Sequence, residues 1–233
     1  MALYLDIDLD YFVAPVLKES VINHRPPDPS HCRLANPADL FCLLQEKGVR
    51  LGHKRFIFTN HMQSHLRWWI HGKKNNRVIH IDAHSDLYGH HQPDLSNLKK
   101  LGCQNYLWHA IRENLISEIY WVFPDRLFDP EDLSILQKMF LPSQLGRSFT
   151  KDHILHTEIL CSLPGQPSKV IPYHLLQLKD LPVFQETAEI ITVATSPEFL
   201  PRQADTLLSS IEQLLHFEPG IMDKLRQTHT EMK

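Results

Sequence analysis

Apolar and acidic residues alternate with a period of two through Tyr4-Leu-Asp-Ile-Asp-Leu-Asp10, which sets Leu5, Ile7 and Leu9 on one face of a strand over 3–9 and Asp6, Asp8 and Asp10 on the other. The unbroken run Val78-Ile-His-Ile81 reads as a strand buried on both faces, spanning 77–82. It leads directly into Asp82-Ala-His-Ser-Asp86, in which Asp82, His84 and Asp86 again stand two apart. Glu189-Ile-Ile-Thr-Val-Ala194 reads as another buried strand, and shorter ones are expected over 55–59 and 118–123.

Between these runs the spacing lengthens to that of helices. Asn36-Pro37 suits a cap and first turn for a helix through Leu40, Leu43 and Leu44 to Gly48. A second helix follows Asn60, contains His61, His65, Trp68 and Trp69, and stops near Gly72. Further helices are expected over 105–114, from Asp129-Pro130-Glu131 to about Phe140, and from Pro201 with Leu207, Leu208, Ile211, Leu214 and Leu215 inward. Val13 to Leu34, rich in Pro, His and charge, reads as a long surface loop, and 141–182 carries only short strand signals at Ile154-Leu155 and Val170-Ile171. Alternating strands and helices predict an α/β fold, a three-layer αβα sandwich on a mostly parallel sheet. Ligands of such folds bind at the carboxyl ends of the strands, where both acidic runs finish.

At 233 residues and 42% hydrophobic content the chain is long enough for one large core, so a single domain over 1–233 is expected. A formal charge of −3 without a basic tract argues against nucleic acid as a partner. No apolar stretch approaches the roughly 20 residues that span a bilayer, and no basic stretch precedes an apolar one at the N-terminus, so a cytoplasmic protein is expected. The four cysteines lack a Cys-x-x-Cys pair and imply neither a disulfide framework nor a zinc ribbon. Histidine, at 16 copies, matters more, because imidazole mixed with carboxylate suits divalent transition metals.

Aspartate is a poor strand former, and burying an ionised carboxylate costs several kcal/mol unless a cation or hydrogen bonds compensate. Two acidic strand ends in one chain therefore point to a shared metal site. Strand periodicity does not distinguish Asp6 and Asp8 from Asp8 and Asp10 as the ligand pair. His65, one turn after His61, offers an alternative imidazole.

Asp82-Ala-His-Ser-Asp86 resembles the Asp-x-His-x-Asp motif of the ureohydrolases, the arginase and agmatinase superfamily with its binuclear manganese site. Tyr4-Leu-Asp-Ile-Asp-Leu-Asp10 resembles the other ligand strand of that superfamily, with Asp6 at its serine position and Asp8 and Asp10 as ligands. His61, in Thr59-Asn-His-Met62, matches the family's helix-start histidine in spacing and context. The resemblance implies an arginase-like fold and two Mn²⁺ ions, one held by His61, Asp82, Asp86 and Asp8, the other by His84, Asp82, Asp8 and Asp10, with Asp82 and Asp8 bridging.

In the free-arginine enzymes the aspartate pair follows the Asp-x-His-x-Asp motif, whereas here it opens the chain, as in a circular permutation. Asp-Ile-Asp-Leu-Asp-Tyr-Phe12, Gln104-Asn-Tyr-Leu107 and Ile-Thr-Val-Ala-Thr-Ser-Pro-Glu198 are similar to the peptide arginases, which convert peptidyl arginine to peptidyl ornithine and urea in ribosomally made peptides. Tyr88 stands where the free-arginine enzymes carry an asparagine for the substrate α-carboxylate, a group that an internal arginine lacks. Two divalent cations lower the pKa of a shared water and supply hydroxide to attack a guanidinium carbon. Asp86, and whichever of the bridging Asp82 and Asp8 is more exposed to the hydroxide, are candidates for proton traffic, His91 and His90, then His109, for protonating the leaving amine, and Glu198 for facing the guanidinium. The partner implied is an arginine-containing precursor peptide, with a homo-oligomer left open. A single-zinc deacetylase on the same scaffold and a non-catalytic, metal-stabilised module gripping a leader peptide through the 13–34 loop are the alternatives.

Overall fold

The computed structural model describes every residue except Arg126, Pro130, Leu163, Pro164, Gln166 and Lys233. Its chain order begins β1 (Leu3–Asp8), β2 (Val13–Ala14), β3 (Arg33–Leu34), α1 (Pro37–Glu46), β4 (Val49–Phe58), α2 (Gln63–His71) and β5 (Asn76–Ile81). It continues α3 (Tyr106–Arg112), β6 (Ile116–Val122), α4 (Ser134–Met139), β7 (Leu145–Lys151), β8 (Ile154–Cys161), β9 (Lys169–Leu176), β10 (Glu186–Ala194), α5 (Thr206–Leu215) and α6 (Pro219–Glu231). Eight strands form one sheet in the order β4-β10-β1-β5-β6-β9-β8-β7. The first six are mutually parallel, and β8 and β7 complete the sheet antiparallel.

Side-chain alternation divides the core into two layers. Leu3, Leu5 and Ile7 of β1 and Ile79 and Ile81 of β5 pack with Leu40 and Leu44 of α1, Leu207 and Ile211 of α5 and Met222 of α6. Tyr4 and Val78, on the opposite face, pack with Trp68 of α2, Leu107 and Trp108 of α3 and Ile135 of α4. The fold is thus the expected α/β, three-layer αβα sandwich on a mostly parallel sheet. Strands β1 and β5 are neighbours, yet α1 leaves β1 for one face while α3 leaves β5 for the other. The crevice between their carboxyl ends is the topological switch point of the sheet, where α/β folds bind ligands.

Several expectations shift. The edge strand β4 begins at Val49 rather than residue 55, because its early side chains face solvent and carry charge in place of an apolar signal. The helix expected from Asp129 starts at Ser134, after the Asp132 side chain has accepted the Ser134 N–H at 2.9 Å; the Pro130 part of that reading lies outside the described residues. Three full strands, β7, β8 and β9, occupy the weak 141–176 region, and the second face of β8 and β9 carries polar residues that blur the pattern. The 13–34 loop is closed at its base by the β2–β3 ladder, and α6 is a helix that the periodicity reading did not anticipate. No helix is long and apolar enough to cross a membrane among the described residues.

Candidate metal centre

Parallel pairing brings the two acidic runs into register: Asp6 lies opposite His80 of β5 on one side and Thr192 of β10 on the other. Asp6, Asp8, His80 and Asp82 consequently share the α2–α3 face of the sheet, stacked toward its carboxyl edge. Beyond Asp8 the chain turns into a short 3-10 segment, Leu9–Phe12, in which the Asp8 side chain accepts the Asp10 N–H at 3.2 Å. The exit of β5 is pinned by Trp121, whose indole N–H donates to the Asp82 carbonyl at 3.0 Å. Asp86 then takes a left-handed backbone, φ 47°, a conformation aspartate tolerates better than most residues, and this turns its carboxylate back toward Asp82.

His61 lies at the meeting point, in the turn before α2. Its Nδ1 is 3.0 Å from Asp82 Oδ2, 3.1 Å from Asp86 Oδ2 and 3.2 Å from Asp8 Oδ2. One ring nitrogen can offer a single hydrogen, and none of the three contacts has hydrogen-bond geometry; both His61 nitrogens and Asp82 Oδ2 are buried without a hydrogen-bond partner. Three carboxylate oxygens converging on a buried imidazole nitrogen form a nitrogen–oxygen cage that suits a divalent cation. A second group adjoins it: His84 Nδ1 lies 2.7 Å from Asp10 Oδ2 and 3.8 Å from Asp82 Oδ1. Asp8–His61–Asp82 and Asp10–Asp82–His84 each bring three ligand atoms within 4.8 Å of one another, as do Asp6–His61–His80 and His80–Asp82–Asp86 behind them, so this largely buried cluster can hold metal.

Neighbouring groups orient both imidazoles. His84 Nε2 faces the Leu17 carbonyl at 2.8 Å, and because a carbonyl only accepts, Nε2 carries the hydrogen and Nδ1 turns toward the aspartates. His61 Nε2 faces Asp6 Oδ2 at 3.1 Å. Asp6 itself is fully buried and saturated. Ser64 and Thr192 hydroxyls donate to Oδ1 and the Tyr106 hydroxyl to Oδ2, each at 2.6 Å, and His80 Nδ1 lies 3.2 Å from Oδ2. These contacts fill the carboxylate's acceptor positions, which leaves Asp8 and Asp10 as the pair facing the cavity and makes Asp6 a buttress behind His61. Ser196, leaving β10, donates to Asp8.

Electrostatics favour added positive charge at this cluster. Burial, reinforced by Asp10, pushes Asp8 up to about 6, and burial with Asp10 and Asp86 holds Asp82 well above the carboxylate range. Burial would lower His84, but the Asp10 carboxylate overrides it and pushes the imidazole up to about 10. Burial alone would raise Asp6, yet His61 and His80 hold it well below its ordinary value. The cluster gathers protons where a cation would otherwise compensate the carboxylates.

The cluster floors a cavity of about 580 Å³ whose wall includes Asp8, Asp10, Asp82, His84 and Asp86. Tyr88, His90 and His91 line the same cavity, with His91 Nδ1 3.4 Å from Asp94 Oδ2. Glu198 is placed elsewhere: it lines an adjoining cavity of about 210 Å³, and its Oε1 accepts the Asn23 N–H at 2.6 Å. The β10–α5 loop turns away at Ser196, which carries Glu198 into the neighbouring cavity, Ser196 and Phe199 walling both. His65 and His109 pack against each other between α2 and α3, ring centres 6.1 Å apart, and neither lines the metal-facing cavity. Sequence reasoning did not single out Ser64, His80, Tyr106, Thr192 or Ser196. Only His80 and Thr192, polar breaks in otherwise apolar strands, gave any local signal. Comparison of the chain with protein-family models, with curated proteins and with solved structures finds no match.

Proposed function

We propose that the protein is a binuclear manganese hydrolase that converts arginine within a peptide to ornithine, releasing urea. The observation that carries this reading is the convergence of four aspartates and two oriented imidazoles in two adjoining groups that share Asp82. His61, Asp8, Asp82 and Asp86 would hold one ion, and His84, Asp10, Asp82 and Asp8 the other. A metal pair supplies Lewis acidity and a water acidified toward neutral pH.

The chain's own groups supply the rest. Asp86, on its left-handed turn, borders the cavity and would accept a proton from an attacking water. His91 and His90 rise from the loop after the second acidic run and line the cavity, and either would protonate a departing amine. Glu198 reaches a guanidinium only after giving up its hydrogen bond to Asn23, so its role in this reading requires the 196–199 turn to adjust. A wall carrying Tyr88, and no asparagine two residues beyond Asp86, suits an arginine whose carboxyl group is already in a peptide bond.

The test is incubation of the Mn²⁺-loaded protein with arginine-containing peptides. Mass spectrometry should find the loss of a cyanamide unit from arginine, and free urea should accumulate in equal amount. Metal binding without either product would leave a metal-stabilised binding module, and deacetylation of an acylated lysine peptide would move the protein to the deacetylase reading.

A further inference from the structure

The long excursion between β2 and β3 is strapped down over the site by one buried guanidinium. Arg25, its side chain only 1% exposed, donates from Nε to the Leu200 carbonyl at 3.1 Å and from Nη2 to the Pro201 carbonyl at 2.9 Å. Its Nη1 donates to Asp205 Oδ2 at 2.8 Å and to the His229 carbonyl at 3.4 Å, and Nη2 also lies 2.8 Å from Asp205 Oδ1. His229 closes the network, with Nδ1 3.0 Å from Asp205 Oδ1 and Nε2 2.8 Å from Thr195 Oγ1. Two lighter ties flank Arg25: Asn23 N–H to Glu198 Oε1 at 2.6 Å and Gln203 N–H to Asp28 Oδ1 at 3.1 Å. Upstream in the same strap the Leu17 carbonyl meets His84 Nε2, and Lys18, Glu19 and Ser20 line the cavity.

We infer that Arg25 is a positioning residue for the metal centre: by anchoring the strap to the β10–α5 loop and the end of α6, it keeps the Leu17 carbonyl on His84, with Nδ1 held toward Asp10 and Asp82. This rests on the two-cation reading above. A buried arginine is costly to place unless its planar fork is fully used, and here each of its three nitrogens has an acceptor on an element other than its own. Freed of that anchor, the strap keeps, among the described residues, the two-residue β2–β3 ladder, two surface hydrogen bonds and the Leu17–His84 contact itself. As the strap loosens, His84 would lose the carbonyl that sets its tautomer. Outer-sphere partners of this kind change metal affinity by about 10–100-fold.

Metal-stripped wild type and Arg25→Ala are titrated with Mn²⁺, followed by calorimetry and by electron paramagnetic resonance. Wild type should take two ions and show the spectrum of an exchange-coupled pair. Arg25→Ala should keep the His61 site at wild-type affinity while the His84 site weakens by about 10–100-fold, so that an isolated-ion spectrum replaces the coupled one. A purely structural role would weaken both sites alike. A variant that binds two ions as tightly as wild type overturns the inference alone, and a wild type that binds none overturns the two-cation reading beneath it. Should Arg25→Ala fail to fold, hydrogen exchange of the wild type decides: coupling between strap and metal is reciprocal, so Mn²⁺ must slow amide exchange in residues 16–24, and unchanged rates there refute it.

Discussion

The Nδ1 of His61 stands 3.0 Å from Asp82 Oδ2, both side chains 1% exposed, and neither atom has a hydrogen-bond partner. Such a contact persists in a close-packed interior only if something offsets the desolvation of both groups. A proton on His61 does so in the metal-free protein, where its pKa lies well above the ordinary value because Asp6 and the neighbouring carboxylates outweigh burial. A cation would do so in the loaded one.

Metal should therefore stabilise the fold measurably. At a free Mn²⁺ concentration one hundred times the dissociation constant, one site adds about 2.7 kcal/mol, which in a domain of this size raises the melting temperature by roughly 5–10 °C. Differential scanning fluorimetry with and without a chelator checks this. Identical melting in both conditions would contradict metal binding by the folded state.

Asp6→Asn separates a buttress from a ligand. The amide places an N–H₂ against hydroxyls that now donate to a carboxylate, so stability should fall by about 3 kcal/mol. The Mn²⁺ count should remain two, with the His61 site weakened by about 10–100-fold. A count of one would make Asp6 a direct ligand. Chemical denaturation and metal analysis on the same preparation give both numbers.

The pH dependence has a defined sign. Asp8 rises from its ordinary 3.8 to about 6 and His84 from 6.5 to about 10. In each case the folded chain holds a proton that the unfolded chain has already lost, so the metal-free protein loses stability as pH rises through about 4–6 and again through about 6.5–10. Metal must displace the same protons, and Mn²⁺ affinity should accordingly rise with pH while binding releases protons. Calorimetry in buffers of differing ionisation enthalpy reads the release directly. Affinity that is flat from pH 6 to 10 would show that His84 is not a ligand.

Proton delivery to the leaving group can be tested apart from metal binding. Replacing His90 and His91 together by alanine should lower kcat on an arginine peptide by about 100-fold or more, with two Mn²⁺ ions retained. An unchanged kcat would remove both from the reaction. The single variants then show which of two rings 4.0 Å apart carries the proton.

Much of this was readable locally. The alternation in 4–10 and the Asp82–Asp86 run placed the ligand-type residues at strand exits, and the mostly parallel, two-faced sheet followed from buried runs separated by helical spacing. The ambiguity between Asp6 and Asp10 did not yield to periodicity, because positions i and i+2 look alike along a strand. The difference between them arises across strands: hydroxyls from Ser64, Tyr106 and Thr192, which lie 58, 100 and 186 residues from Asp6 in the chain, donate to Asp6, while Asp8 and Asp10 line the cavity. Arg25 was illegible for a related reason: it sits in a Pro-rich segment without period, and its partners come from residues 200–229. Glu198 shows the converse, a residue on the correct edge of the sheet that a tight turn at Ser196, φ 36°, sends into the neighbouring cavity.

Anomalous diffraction from crystals grown with Mn²⁺ tests the central claim most directly. Two peaks should appear about 3.5 Å apart, one among His61 Nδ1, Asp8, Asp82 and Asp86 and the other against His84 Nδ1 and Asp10. A lone peak, or density for manganese anywhere other than beside Asp82, would contradict the binuclear centre.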